Sequence, residues 1–440
     1  MARPKETVSA APAFDVGILG LGYVGLPLAI AFARSGRRVV GFDLDEAKVR
    51  GVNAGRSHIR HIPDSEIGLI LGSGGGATLD PADLGRTAAI LICVPTPLTR
   101  NRDPDLGQVE AAADLVAGVL RPGQLVCLES TTYPGTTRAI LLPRLEKTGL
   151  RAGRDFFLAY SPEREDPGNR NRSCGNIPKV VGGLTPRCLA AARRVYDPAV
   201  PRTVPVSSLE AAEATKLMEN IFRCVNIALV NELKQVFSRM DIDVWEIIAA
   251  AETKPFGYLP FYPGPGLGGH CIPIDPFYLA WKAREHECAT RFIELAGEIN
   301  LAMPEYVVAR TAEELNRMKK SLNGSRLLLI GLAYKRNVDD VRESPSLKLL
   351  ELFSRRGARV AYHDPLVPAM PAGHFSGRLA RLKSRPLTPA RLRSVDAVVI
   401  ATNHEEVDYP LLGRHAGLII DSRNAMAGAG GRIRARVAKA

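Results

Sequence analysis

Residues 14–45 read "FDVGILGLGYVGLPLAIAFARSGRRVVGFDLD". An apolar run leads into Gly20-Leu-Gly22-Tyr23-Val24-Gly25, and small apolar residues at helical spacing follow. A second apolar run, Arg38 to Phe42, ends on Asp43. A strand, a glycine turn, a helix, a strand and an acid in that order make up the dinucleotide fingerprint in the context it requires. Gly20 is expected to make the tight turn, Gly22 to admit a pyrophosphate, and Gly25 to let helix and strand pack closely. The helix N-terminus then faces the pyrophosphate. Asp43 is placed to take ribose hydroxyls, and its carboxylate would repel a 2′-phosphate, which favours NAD over NADP.

Further strands are expected within "AAILICVPTP" (88–97), "LVCLESTTYPGT" (125–136), "FFLAYSPER" (156–164) and "KVVGG" (179–183). Helical stretches separate most of them, the pattern of a doubly wound parallel sheet. Ligands of such sheets lie just past strand C-termini, which singles out Thr96, Thr131 and Glu163. From about Ser208 the chain turns helical: "SLEAAEATKLMENIFRCVNIALVNELKQVFSRM" has no internal Gly or Pro, and "DIDVWEIIAAAE" adds a second helix. Helix resumes after a Gly/Pro loop and runs to about residue 320. A second α/β unit starts at Arg326, with "RLLLIGLAYK", the helical "SPSLKLLELFSRRG" and "ARVAYHDP", a strand ending in an acid. It lacks the three-glycine pattern, so a ligand other than a dinucleotide is expected there. Ser344 and Pro345 suit the N-cap and first turn of its helix, and Arg342 just before them suits a phosphate. The fold class is therefore α/β: two Rossmann-like doubly wound parallel-sheet domains joined by a central helical segment. The boundaries read as a disordered tail at 1–14, then domains at 15–205, 206–320 and 321–440.

Composition excludes several classes. The 440 residues hold 46% hydrophobic and 24% charged residues, with no apolar run long enough to span a bilayer and no apolar signal segment at the N-terminus. Seven scattered cysteines without a CxxC pair point to reduced thiols in the cytoplasm rather than to disulfides or zinc. No metal site is expected: "HIRH" at 58–61 has no carboxylate or cysteine partner nearby and reads as surface. The net charge of +12 is spread along the chain, apart from the short tail "RIRARVAKA". No basic stripe is interleaved with aromatics, so the charge fits a phosphorylated small molecule better than nucleic acid or a membrane.

One cysteine stands apart. Cys271 lies in "PGPGLGGHCIPIDP" (263–276), a run that cannot be helix interior and whose glycines allow close approach of backbone. Cys93, Cys127, Cys188 and Cys224 sit among apolar residues and read as core. Two Rossmann-like units, a helical connector and this loop resemble the UDP-glucose/UDP-N-acetylhexosamine 6-dehydrogenase family. The resemblance runs through GLGYVGLPLA (20–29), VPTP (94–97), STTYPGT (130–136), SPE (161–163), EATKLMEN (213–220), GGHCIPID (268–275) and GLAYKRNVDDVRESPS (331–346). "PFGYLPFYPGPGLGGHCIPIDPFYL" and "SPEREDPGN" look most like the branch that oxidises UDP-N-acetylglucosamine.

The resemblance implies a four-electron oxidation of a sugar CH₂OH to a carboxylate with two NAD⁺. An aldehyde has no good hydride to give until a nucleophile adds, and a cysteine thiolate is that nucleophile; its thioester is then hydrolysed. Carried over by motif, Cys271 is the nucleophile, and Lys216 and Asn220 steady an oxyanion. Glu163 activates water, Asp275 assists the base chemistry, and Thr131 relays a proton. The resemblance also places Gly20, Gly22, Tyr23, Val24, Gly25, Asp43, Thr96, Thr131 and Arg342 at the cofactor. Glu163, Lys216, Asn220, Tyr262, Gly268 and Lys335 fall at the sugar nucleotide, in a homodimer or higher homo-oligomer whose core could be the long apolar helix. The third domain becomes the UDP-sugar-binding one, and the pathway one of surface polysaccharide precursors. The UDP-glucose branch carries a lysine where this chain has Ile274, which weakens glucose as the sugar. UDP-glucose and UDP-N-acetylmannosamine stay open as substrates. A two-electron dehydrogenase would have no use for Cys271, and a non-catalytic nucleotide-sugar sensor would be expected to lack one of these residues.

Overall fold

The computed structural model describes residues 12–60, 62–99, 103–164, 176–269 and 274–440. They form two compact units, Met1–Met218 and Glu219–Ala440. The helix Leu209–Arg239 runs from the first into the second.

The first unit is built on eight strands: β1 (Phe14–Leu19), β2 (Val39–Phe42), β3 (Gly76–Thr78), β4 (Thr87–Ile92), β5 (Leu125–Leu128), β6 (Phe157–Tyr160), β7 (Lys179–Gly183) and β8 (Thr203–Val206). Their order in the sheet is β3-β2-β1-β4-β5-β6-β7-β8. The chain reverses direction across the sheet between β1 and β4, the switch point at which such sheets bind ligands. Alternate residues of β4 feed two cores: Ala89 and Leu91 pack on one face, Ile90 and Ile92 on the other. Burial on both faces explains why these strands read as unbroken apolar runs.

The expected sheet was parallel throughout, and here the structure differs. β7 runs antiparallel to β6, with Ala159 opposite Gly183.

In the second unit, helices Val244–Glu252, Asp275–Arg284 and Arg291–Arg317 precede a sheet of β9 (Arg326–Ile330), β10 (Arg359–His363), β11 (Ala397–Ile400), β12 (Leu418–Asp421) and β13 (Arg436–Lys439). Its order is β10-β9-β11-β12-β13, and every pairing is parallel. The segment read as a basic tail is therefore edge strand β13, held by backbone pairing and by ion pairs of Arg436 with Glu314 and Lys439 with Asp243. Ser344 caps the helix Pro345–Arg355 with its hydroxyl on the Ser346 N–H, and Pro345 fills the first turn, as its sequence suggests. No helix among the described residues is long and apolar enough to cross a membrane.

Candidate active site

The glycine turn after β1 shows why two of its three glycines are needed. Gly20 has φ +100°, and a Cβ there would lie 2.6 Å from the Cys93 carbonyl oxygen. A Cβ on Gly25 would lie 1.8 Å from the Gly20 oxygen, so the helix Gly25–Arg34 could not approach the strand. A Cβ on Gly22 meets nothing within 4 Å. Gly22 faces open space at the helix N-terminus, where a pyrophosphate fits.

Asp43 is tied into this turn. Its carboxylate accepts the Leu21 N–H at 2.8 Å and the Asp45 N–H at 2.9 Å, and Lys48 Nζ lies 3.1 Å away. Burial works to raise the Asp43 pKa, but the two amides and the Lys48 ammonium outweigh it and hold the group below its ordinary range. Asp43 is thus a paired carboxylate, and its bias against a 2′-phosphate is softened by Lys48. His58, read from sequence as bland surface, binds the Leu21 carbonyl through Nε2 at 2.7 Å. His61 lies outside the described residues.

Thr96, Thr131 and Glu163 follow the C-terminal ends of β4, β5 and β6, three neighbouring strands. Thr96 and Glu163 are buried and Thr131 half-buried. Glu163 belongs to a group of side chains that sequence reasoning missed. Lys179, the first residue of β7, places Nζ 2.6 Å from Glu129 Oε2 and 3.3 Å from Glu163 Oε2. Tyr196 donates its hydroxyl to Glu129 Oε1. Burial pushes the Glu129 pKa up against the pull of Lys179. The one trace in the sequence is a glutamate directly after the apolar "LVCL".

Lys216 and Asn220 lie one turn apart on the helix Leu209–Arg239. On spacing alone they would be an ordinary solvated face, yet both are buried, at 7% and 3% exposure. Asn220 Nδ2 donates to Asp275 Oδ2 at 2.5 Å, and Asp275 opens the helix Asp275–Arg284. Lys216 lies one turn from Glu213, whose carboxylate accepts the Gly135 and Thr137 N–H groups and the Thr137 hydroxyl. Burial raises the Glu213 pKa to about 7.

His270 and Cys271 lie outside the described residues, as does Cys174. The run leading to them explains its own composition. Gly264 donates its N–H to Asn231 Oδ1, and a Cβ there would lie 2.5 Å from Arg423 Nη1. A Cβ on Gly268 would lie 2.7 Å from Tyr334 Cβ and 2.9 Å from the Glu343 oxygen. Gly269, at φ +89°, gives its N–H to the Arg342 carbonyl. The glycines let this loop lie against residues 334–345. Tyr262 is half exposed, stacked on Trp245 with its hydroxyl on Glu252. Arg342, expected beside a phosphate, makes a bidentate pair with Asp340 in its own loop. Lys335 is half-buried just after the β9 turn.

The other described cysteines divide clearly. Cys93, Cys127, Cys188 and Cys224 are buried and Cys288 is exposed. Burial pushes the thiols of Cys93, Cys127 and Cys224 up, so at neutral pH they stay protonated.

In the second unit Asp364 ends β10 as Asp43 ends β2, but its carboxylate is filled from within. It accepts the N–H groups of Leu332, Ala333, Leu366 and Val367 and the His404 Nε2–H. His404 Nδ1 accepts from the Asn337 N–H, which leaves the ring proton on Nε2. Burial opposes ionisation of Asp364, yet His404 and the amides bring its pKa down to about 2. A ribose finds no open acceptor there.

Two Rossmann-type units, one with an open glycine turn and one without, fit a dinucleotide-dependent enzyme whose second unit takes something other than a dinucleotide. Sequence comparison agrees. Residues 14–200 match the NAD-binding domain of the UDP-glucose/GDP-mannose dehydrogenase family, residues 210–302 its central domain, and residues 328–428 its UDP-binding domain. The chain belongs to this family and is an NAD-binding nucleotide-sugar dehydrogenase. It is 35% identical to a UDP-N-acetyl-D-glucosamine 6-dehydrogenase of Pseudomonas aeruginosa, over 89% of this chain and 90% of that one. It is 36% identical to a UDP-N-acetyl-D-mannosamine dehydrogenase of Pyrococcus horikoshii, over 93% and 95%. A solved structure of the UDP-D-ManNAc dehydrogenase from Pyrococcus horikoshii superposes with a TM-score of 0.86 at 34% identity, covering 96% of this chain and 98% of that one.

Proposed function

We propose that this enzyme oxidises the C6 hydroxymethyl of UDP-N-acetylglucosamine to the carboxylate, in two successive hydride transfers with a covalent intermediate on Cys271. The observation that carries the reading is the buried Asn220–Asp275 hydrogen bond. It joins two residues of separate motifs, and Asp275 stands four residues after Cys271. Ile274 and the loop before Cys271 favour the N-acetylglucosamine branch, and the Pseudomonas relative bears that name. A second reading, UDP-N-acetylmannosamine, is favoured by the Pyrococcus relative and its structure.

NAD⁺, one molecule for each transfer, would supply the hydride acceptor; Gly22 would admit its pyrophosphate in the turn that Gly20 and Gly25 shape, and Asp43 would hold its ribose. In the first oxidation C6 loses a hydride and O6 a proton, which Thr131 and Asp275 help to remove. The Cys271 thiolate then adds to the aldehyde carbon. Lys216 and Asn220 donate to the oxyanion so formed. Loss of the second hydride from that carbon leaves a thioester. Glu163 takes a proton from water, whose oxygen attacks the thioester carbon; the C–S bond breaks and the cysteine returns as thiolate.

We also propose a homodimer. Phe222, Leu229 and Val236, seven residues apart on the helix Leu209–Arg239 and so on one side of it, are all exposed. Sedimentation velocity should show the dimer, and Leu229→Lys should shift it toward monomer.

The substrate test is a panel of UDP-sugars with NAD⁺ and purified enzyme. UDP-N-acetylglucosamine should have the highest kcat/KM, with two NADH formed per sugar. A higher value for UDP-N-acetylmannosamine would move the assignment to the second reading, and a stoichiometry of one would remove the cysteine mechanism.

A further inference from the structure

Glu163 shares a buried ammonium with a second buried carboxylate. Lys179 is 4% exposed and its ammonium lies between two carboxylates, Glu129 at 2.6 Å and Glu163 at 3.3 Å, with the Pro162 carbonyl at 3.4 Å. One carboxylate would balance one ammonium. A second carboxylate, also buried, shares that same ammonium. Both Glu129 oxygens are hydrogen-bonded, one to Lys179 and one to the Tyr196 hydroxyl. The Lys179 ammonium also lies 5.5 Å from the centre of the Tyr196 ring. Glu163 Oε1 accepts the Arg164 N–H at 2.6 Å, and Arg164 Nη1 donates to the Pro178 carbonyl. The thiols of Cys127 on β5 and of Cys93 just past the end of β4 are held protonated by burial and add no charge.

We propose that Lys179 is a positioning residue for the hydrolytic step, fixing and ionising Glu163 through Oε2, and that Glu129 with Tyr196 sets how strongly it does so by competing for the same ammonium. This rests on the reading of Glu163 as the group that activates water. Lys179 reaches Glu163 across the antiparallel β6–β7 junction, so that departure from a parallel sheet has a chemical use. The charges make a signed statement. Removing the ammonium makes the Glu163 carboxylate harder to ionise, and removing the Glu129 charge makes it easier.

The test is the pH dependence of hydrolysis of the Cys271-linked intermediate, followed by acid quench and intact-protein mass spectrometry on the full-length enzyme. Lys179→Met should move the acid limb of the hydrolysis rate up by about one pH unit, and Glu129→Gln should move it down. Lys179→Arg should restore the wild-type limb. Formation of the first two NADH should change much less in each variant. Limbs that stay in place, or move the same way in both variants, would overturn the proposal and leave Lys179 a structural ion-pair member. If Lys179→Met fails to fold, Glu129→Gln alone decides, since glutamine can still accept from Lys179 while lacking the charge. Glu163→Gln is run alongside. Accumulation of the intermediate in Glu163→Gln with unmoved limbs in the other variants sinks only the role of Lys179. No accumulation in Glu163→Gln sinks the reading of Glu163 itself.

Discussion

Asn220 and Asp275 are 55 residues apart in the chain, yet Nδ2 of the first donates directly to Oδ2 of the second, and both are buried. The amide is needed in that orientation, because its other end is the oxygen of the same planar group. Asn220→Ala removes a donor close to the proposed oxyanion and should lower kcat about 100-fold. Asn220→Asp places a second carboxylate against Asp275, and the two must share a proton. Its deficit should therefore be deeper at high pH and shrink as pH falls from about 9 to about 6, an effect absent from Asn220→Ala. Parallel pH–rate profiles for the two variants would contradict the contact.

Glu163→Gln retains shape and hydrogen bonding but cannot take a proton from water. Stopped-flow mixing with NAD⁺ and UDP-sugar should give a burst of about two NADH per site and then a slow steady state. The adduct should vanish in Glu163→Gln/Cys271→Ala. Uniformly slow first oxidation without a burst would place Glu163 earlier in the sequence and make Asp275 the better candidate for activating water.

The glycine turn separates folding from binding. Gly22→Ala adds a methyl that meets no protein atom within 4 Å, so the melting temperature should hold while the KM for NAD⁺ rises at least tenfold, by roughly 1.4 kcal/mol or more. Gly25→Ala drives a Cβ into the Gly20 carbonyl and should lower the melting temperature itself. Equal thermal losses in both would show that Gly22 is a packing residue.

Asp364 serves stability. Its folded pKa of about 2 lies below that of a free carboxyl, so its contribution is fully present above the unfolded pKa and is lost as pH falls through about 2. Asp364→Asn should cost about 2–3 kcal/mol in urea melts near neutral pH. The difference from wild type should narrow as the pH is lowered toward about 3. A pH-independent difference would assign the loss to geometry rather than to charge.

Much of this protein was legible in its sequence because the relevant physics is local. Gly20, Gly22, Gly25 and Asp43 are joined by one strand–helix–strand unit, and a backbone turn constrains its own residues. The Ser344 cap, the helix Leu209–Arg239 and the burial of four cysteines are equally short-range or compositional. The parallel sheet was legible too, except at β7, whose direction shows only in its pairing with β6 and not in the strand's own residues. What only the tertiary structure decided are the partners: Lys48 for Asp43 close in the chain, Lys179 for Glu129 and Glu163 across the sheet, His404 for Asp364 across 40 residues. Charge pairing depends on distance in space, and a sequence specifies which charges exist without stating which ones burial will force together.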